Sequence, residues 1–197
     1  MTRKAKKRAA SANEPFRLTG PMLSHIAATM VPFFKKIAVN YTYALKWSKA
    51  VRTADLDTLS ALFKLAVPGA KLNGFSTNAI GYFFDFDFPD PVLQYSVGTT
   101  IPPGTTQFTF STPIHRAIAR AALPFYRALA SSSCYAAAVA AAINGNKLTR
   151  LRILLRQKIT ASALKSIRIE FSGAALSFKY SSSKFTYRHL LFREIVG

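Results

Sequence analysis

Past residue 18 the apolar positions follow two spacings in turn, one helical and one of period two. Behind Gly20-Pro21, the residues Met22, Leu23, Ile26 and Met30 fall at helical spacing, and Pro21 suits a first turn. Pro32 is expected to kink that helix or to start a new one. Residues 33–52 then read as an amphipathic helix. Phe33, Ile37, Tyr41, Leu45 and Trp47 form its apolar side, and Lys35, Lys36, Lys46, Lys49 and Arg52 its basic side. A third helix carries Leu56, Leu59, Leu62, Phe63 and Ala66. Thr53 is its expected cap, Asp55 and Asp57 favour its positive end, and Pro68-Gly69 stops it.

The period changes over residues 75–110. Phe84, Phe86 and Phe88 alternate with Asp85 and Asp87, Pro89-Asp90-Pro91 interrupts, and Val92–Val97 resumes. Gly98 and Pro102-Pro103-Gly104 mark turns, and Gln107–Phe110 reads as a further short strand. Helix returns at Thr112-Pro113, with Pro124 as an expected interruption. The apolar run Leu129–Ile143 is mostly alanine, short of the ~20 strongly apolar residues of a membrane span. From Cys134 to Ile159 two helices are expected, broken at Asn144-Gly145-Asn146, with Gly145 as the stop and Asn146 as the next N-cap. The last segment returns to period two. Ile167, Ile169, Phe171, Leu176, Phe178, Tyr180, Phe185 and Tyr187 lie on one face, and Arg168, Lys179, Lys184 and Arg188 on the other.

These elements predict an α+β fold, with helices alternating with two small antiparallel β-meanders. A single domain over 18–197 follows a basic, flexible arm over 1–17. No residue-level repeat is read between the two halves, which are expected to be unrelated.

Charge changes the picture. The 197 residues hold 27 Lys+Arg against 8 Asp+Glu, formally +19. The balance is +5 over residues 1–17, +2 over 18–110 and +12 over 111–197. Such a field favours a polyanionic partner, nucleic acid first and anionic membrane second. The arm contributes Arg3, Lys4, Lys6, Lys7 and Arg8. Between Asn146 and Ile159 a basic helix carries Leu148, Leu151, Leu155 and Ile159 as its apolar stripe. Arg152 and Arg156 stand on one flank, and Lys147, Arg150 and Lys158 on the other. Ala141, Gly145 and Leu151 partly match a helix-turn-helix, but Asn144 and Asn146 stand where apolar residues usually sit, so a plain helical hairpin is expected.

Enzyme chemistry has little support. Asp85 and Asp87 point to one side of a strand and lack an evident third ligand or base. His25, His115 and His189 are far apart in sequence, and the single Cys134 forms no internal disulfide and reads as a packed small side chain. No cofactor motif appears, and no apolar segment follows the basic start as a secretion signal requires, so a cytoplasmic or nucleic-acid-associated location is expected. The reading is a non-enzymatic nucleic-acid-binding protein that contacts the phosphate backbone through its arm and basic helix. The alternatives are a self-assembling coat-type or scaffold protein, forming homo-oligomers around a tethered nucleic acid, or a peripheral protein of anionic membranes.

Overall fold

The computed structural model describes residues 17–72, 74–88 and 93–193. Among them the chain forms α1 (Gly20–Val39), α2 (Tyr41–Arg52), α3 (Leu56–Ala66), β1 (Gly74–Thr77), β2 (Gly81–Phe88) and β3 (Leu93–Thr100). There follow α4 (Thr112–Ser131), α5 (Ser133–Asn144), α6 (Leu148–Arg156), β4 (Leu164–Glu170), β5 (Gly173–Lys179) and β6 (Thr186–Arg193). The expected α+β class is what forms.

Several boundaries differ from the sequence reading, each for a local reason. Neither Pro32 nor Pro124 breaks its helix. Both rings are exposed, so the carbonyl that each leaves without an intrahelical donor lies on the wet side of the helix. The break comes instead at Asn40, in extended backbone, whose side chain caps α2 by accepting from the Tyr43 N–H at 2.8 Å. Residues 33–52 are therefore the end of one helix and the whole of another. Ser132 does the same between α4 and α5, accepting from the Tyr135 N–H, and so divides the Leu129–Ile143 run. Asp55, not Thr53, caps α3: its carboxylate takes the Thr58 N–H at 2.9 Å and the Thr58 hydroxyl at 2.7 Å. Residues 107–110 form no strand and lead irregularly into α4. By length and hydropathy α1 is able to cross a membrane; here Leu23, Ile26, Met30, Phe33 and Ile37 along it are packed in the core.

The two meanders join into one antiparallel sheet of order β1-β2-β3-β6-β5-β4. Helices cover one face. Phe33, Trp47 and Phe63 meet Phe84, and Phe34 and Tyr126 meet His189. Among the described residues no helix lies against the other face. On it Phe83 lies over Gly98 and reaches Phe192 edge-on, with ring centroids 6.0 Å apart.

The sheet order is symmetric about the β3–β6 junction, and the symmetry extends through the chain. Residues 20–100 and 112–192 trace the same α-α-α-β-β-β unit with a constant shift of 92 positions. Identical residues recur at that shift: Pro21 and Pro113, Ile26 and Ile118, Pro32 and Pro124, Phe33 and Phe125, Tyr43 and Tyr135, Gly81 and Gly173, Phe86 and Phe178, Tyr95 and Tyr187. So do local devices. Ala54 and Asn146 both take left-handed backbone, at φ 52° and 51°, as do Ala79 and Phe171. The Tyr43 hydroxyl donates to the Leu62 carbonyl at 2.8 Å, and the Tyr135 hydroxyl to the Leu154 carbonyl at 2.8 Å. The expectation of unrelated halves is thus overturned: this is a tandem repeat around a pseudo-two-fold axis. The axis passes through the equivalent pairs Gly98–Leu190, opposite each other in the sheet, and Phe34–Tyr126, ring to ring between the central helices α1 and α4. One hydrophobic cluster runs through both repeats.

Candidate nucleic-acid interface

The break between α5 and α6 falls where it was expected, with a different division of labour. The Asn144 side chain clamps the entry of the chain: Oδ1 accepts from the Leu18 N–H at 3.0 Å, and Nδ2 donates to the Leu18 carbonyl at 2.7 Å. Asn146 supplies the left-handed turn and does not cap α6, whose N-cap position is Lys147. Ala141, the small residue that a helix-turn-helix would bury between its helices, is exposed. Cys134 is also exposed, in the first turn of α5, and is not the packed side chain that the sequence implied.

On α6, Leu151, Leu154 and Leu155 are buried, while Lys147, Arg150, Arg152, Ile153 and Arg156 face outward. Arg156 is committed to the protein, donating to the Leu164 carbonyl at 2.6 Å and so tying α6 to β4. Lys158 lies over the Tyr135 ring at 5.6 Å. Lys147, Arg150 and Arg152 have no partner among the described residues.

The repeat supplies an internal control for these charges. Helix α3 occupies the position of α6 in the first repeat and packs through equivalent residues, its buried Leu59 and Phe63 matching the buried Leu151 and Leu155. Yet α3 has Asp55, Asp57, Thr58 and Ser60 where α6 has Lys147, Thr149, Arg150 and Arg152. The unit therefore folds without a basic helix at this place.

The same contrast crosses the open sheet face. Ser76, Asp87 and Ser96 of the first repeat correspond to Arg168, Lys179 and Arg188 of the second. Arg168 is exposed on the edge strand β4. Arg188 is ion-paired with Glu170 across β5, and Lys179 donates to the Lys184 carbonyl at 2.6 Å. Lys184 sits over the Phe185 ring. The β5–β6 turn carrying Lys179 and Lys184 lies at the end of the sheet where the chain leaves α6, because the Lys179 N–H bonds the Ala163 carbonyl. The structure thus brings the basic helix, the start of β4 and this turn to one side. Arg3, Lys4, Lys6, Lys7 and Arg8 lie outside the described residues.

Asp85 and Asp87 do share a face. Asp85 is buried and accepts from the Ser96 hydroxyl at 2.6 Å, beside Gly74, where a side chain would meet its carboxylate; Asp87 is exposed. Among the described residues no three of His, Cys, Asp and Glu converge on one point.

The histidines hold what the sequence hid. Buried between α4 and the sheet, His115 Nε2 meets the Tyr82 hydroxyl at 2.8 Å, and Tyr82 approaches Thr99 Oγ1 at 3.5 Å. Thr99 Oγ1 meets His189 Nδ1 at 2.9 Å, and the Tyr126 hydroxyl meets His189 Nε2 at 2.7 Å. Burial pushes His115 down to about 3, with His189 adding to the effect, and burial alone pushes His189 to about 3, so both rings are neutral. Burial likewise raises Tyr126 well above its ordinary range. At the shift of 92 the five polar residues match Leu23, Ala174, Leu191, Val97 and Phe34, all apolar. This hydrogen-bond chain crosses from one repeat to the other. No signal in a single sequence joins residues this far apart, although the shift of 92, once seen, marks them as departures from an apolar pattern.

Comparison with protein-family models, with curated proteins and with solved structures finds no match to this chain.

Proposed function

We propose that this protein binds nucleic acid by contacting backbone phosphates, through the outward side of α6, the exposed edge at Arg168 and the basic arm. The observation that carries this reading is the contrast between α3 and α6. Two copies of one packing unit bury equivalent residues, Leu59 and Phe63 in one and Leu151 and Leu155 in the other, and only one presents Lys147, Arg150 and Arg152. A charge that the fold does not require, and that no carboxylate among the described residues answers, adds to the self-repulsion of the protein unless an outside anion neutralises it. Phosphate contacts of this kind release counterions, so affinity falls with salt by about 0.9 log units per log unit of salt for each duplex phosphate neutralised, and by about 0.7 on single strands.

The test is fluorescence anisotropy with a duplex and a single-stranded oligonucleotide over a salt series. It compares the full chain with the K147Q/R150Q/R152Q variant and with a chain lacking residues 1–10. Weaker binding with a shallower salt slope in both variants is the expected result. No binding of either oligonucleotide would remove nucleic acid as the partner, and binding that ignores salt and both changes would overturn the phosphate contacts.

A further inference from the structure

Between α4 and the connection from α6 to β4 runs a groove of about 430 Å³. Its half-buried floor is alanine: Ala117, Ala121, Ala161 and Ala163. Around it stand Arg120, Lys158, Thr160, Ser162 and Tyr180, and no acidic residue lines it among the described residues. Arg120 spends one N–H on the Ala38 carbonyl at 3.2 Å, which leaves its other donors uncommitted. The Thr160 and Ser162 side chains are exposed.

The repeat shows that this arrangement is not a by-product of the fold. At the equivalent positions the first repeat has Ala28, Ala66, Pro68, Ala70 and Phe88 in place of Arg120, Lys158, Thr160, Ser162 and Tyr180. Conversely His25, Thr29 and Lys71 stand where the second repeat has Ala117, Ala121 and Ala163. The His25 ring lies edge-on against Phe88 with centroids 6.1 Å apart, so it occupies space that Ala117 leaves open. Compared with the first repeat, the second has smaller side chains at these three floor positions, and two cations and three hydroxyls at the sides. Cations together with hydroxyl donors, in a recess that no described carboxylate lines, match a phosphoryl group in both charge and hydrogen-bonding sense.

We propose that this groove is a phosphoryl-binding site in which Arg120 and Lys158 supply charge and the Thr160 and Ser162 hydroxyls donate hydrogen bonds. Resting on the nucleic-acid reading above, it seats one backbone phosphate where the chain leaves α6.

The experiment has two arms, each run on the wild type, on K158Q/T160A/S162A and on S162A alone. Position 162 tolerates alanine in the fold, since its counterpart is Ala70. In the first arm, amide resonances of residues 158–163 are followed while inorganic phosphate is added at low salt. The expected result is a saturable shift in the wild type, reduced in S162A and lost in the triple variant. In the second arm, a single-stranded oligonucleotide is titrated over a salt series. The triple variant is expected to bind about tenfold more weakly, with a salt slope shallower by about 0.7. If residues 158–163 stay unmoved by phosphate and the triple variant binds the oligonucleotide like the wild type, the groove is overturned. Weakening by K147Q/R150Q/R152Q in that case leaves the nucleic-acid reading standing. If phosphate moves 158–163 while the oligonucleotide fails to bind any form, the groove stands as a site for a free phosphoryl ligand, and the nucleic-acid reading falls.

Discussion

Phe34 and Tyr126 hold the same place in the two repeats and meet ring to ring across the pseudo-two-fold axis, with centroids 4.7 Å apart and planes tilted by 52°. Only Tyr126 carries a hydroxyl, and it goes to His189 Nε2 at 2.7 Å. The substitution Tyr126→Phe keeps the ring contact and strands a fully buried histidine nitrogen. A loss of about 1–3 kcal/mol is expected, because the desolvation cost of the unpaired group is no longer offset. Urea unfolding of the variant beside Phe34→Tyr, which adds a hydroxyl with no such partner, measures it; an unchanged midpoint would show that the bond contributes nothing.

Acid should destabilise the protein in a defined window. The unfolded chain protonates His115 and His189 near their ordinary 6.5, whereas the folded chain resists until about 3. Their contribution to stability is therefore full above about pH 6.5 and is lost as the pH falls from there towards 3. Each adds a slope of up to about 1.4 kcal/mol per pH unit within that window. Denaturation midpoints at pH 7.5, 6, 5 and 4 should fall ever more steeply. A flat profile between pH 6.5 and 4 would contradict burial of the two neutral rings.

Gly98 and its equivalent Leu190 face each other on the axis in the sheet. A side chain at 98 would run into the Phe83 ring and the Tyr82 carbonyl oxygen. Gly98→Ala should cost about 1–3 kcal/mol as an overpacking change. Because part of the clash is with backbone, adding Phe83→Leu should restore only part of the loss. Thermal melts of the single and double variants check this.

The Asn144 clamp on Leu18 replaces two backbone–water bonds with two bonds to one side chain. Asn144→Ala should cost about 1–2 kcal/mol. Asn144→Asp keeps the acceptor, loses the donor to the Leu18 carbonyl, and should fall between. Hydrogen exchange at the Leu18 amide should speed up most in the alanine variant, and equal rates in all three proteins would mean that the clamp does not hold in solution.

The fold was largely legible where periodicity and caps agree. Pro21 and Pro113 start helices, Asp85 and Asp87 flag a strand, and Asn144-Gly145-Asn146 parts α5 from α6. Pro32 and Pro124 misled because a proline stops a helix only where the lost hydrogen bond cannot be made up, and both point to solvent. The repeat stayed hidden because the surface has diverged. Identity survives at packing positions such as Phe33 and Phe125 or Tyr43 and Tyr135, while Asp55 has become Lys147 and Ser60 has become Arg152. The basic helix could be read from its charge alone. The groove could not, since Arg120, Lys158 and Tyr180 come from α4, the α6–β4 connection and the β5–β6 turn, and each is ordinary in its own stretch.

The connector at residues 101–111, which carries the chain from β3 into α4, has a consequence for how the molecule can be threaded. By the pseudo-two-fold relation the gap from the end of β6 to the start of α1 has the same span as the gap that this connector bridges. A linker of similar length joining those points, with the backbone opened within 101–111, would give a circular permutant in which every strand pairing is retained. In such a permutant the repeats change places in the order of synthesis, and the basic one emerges first.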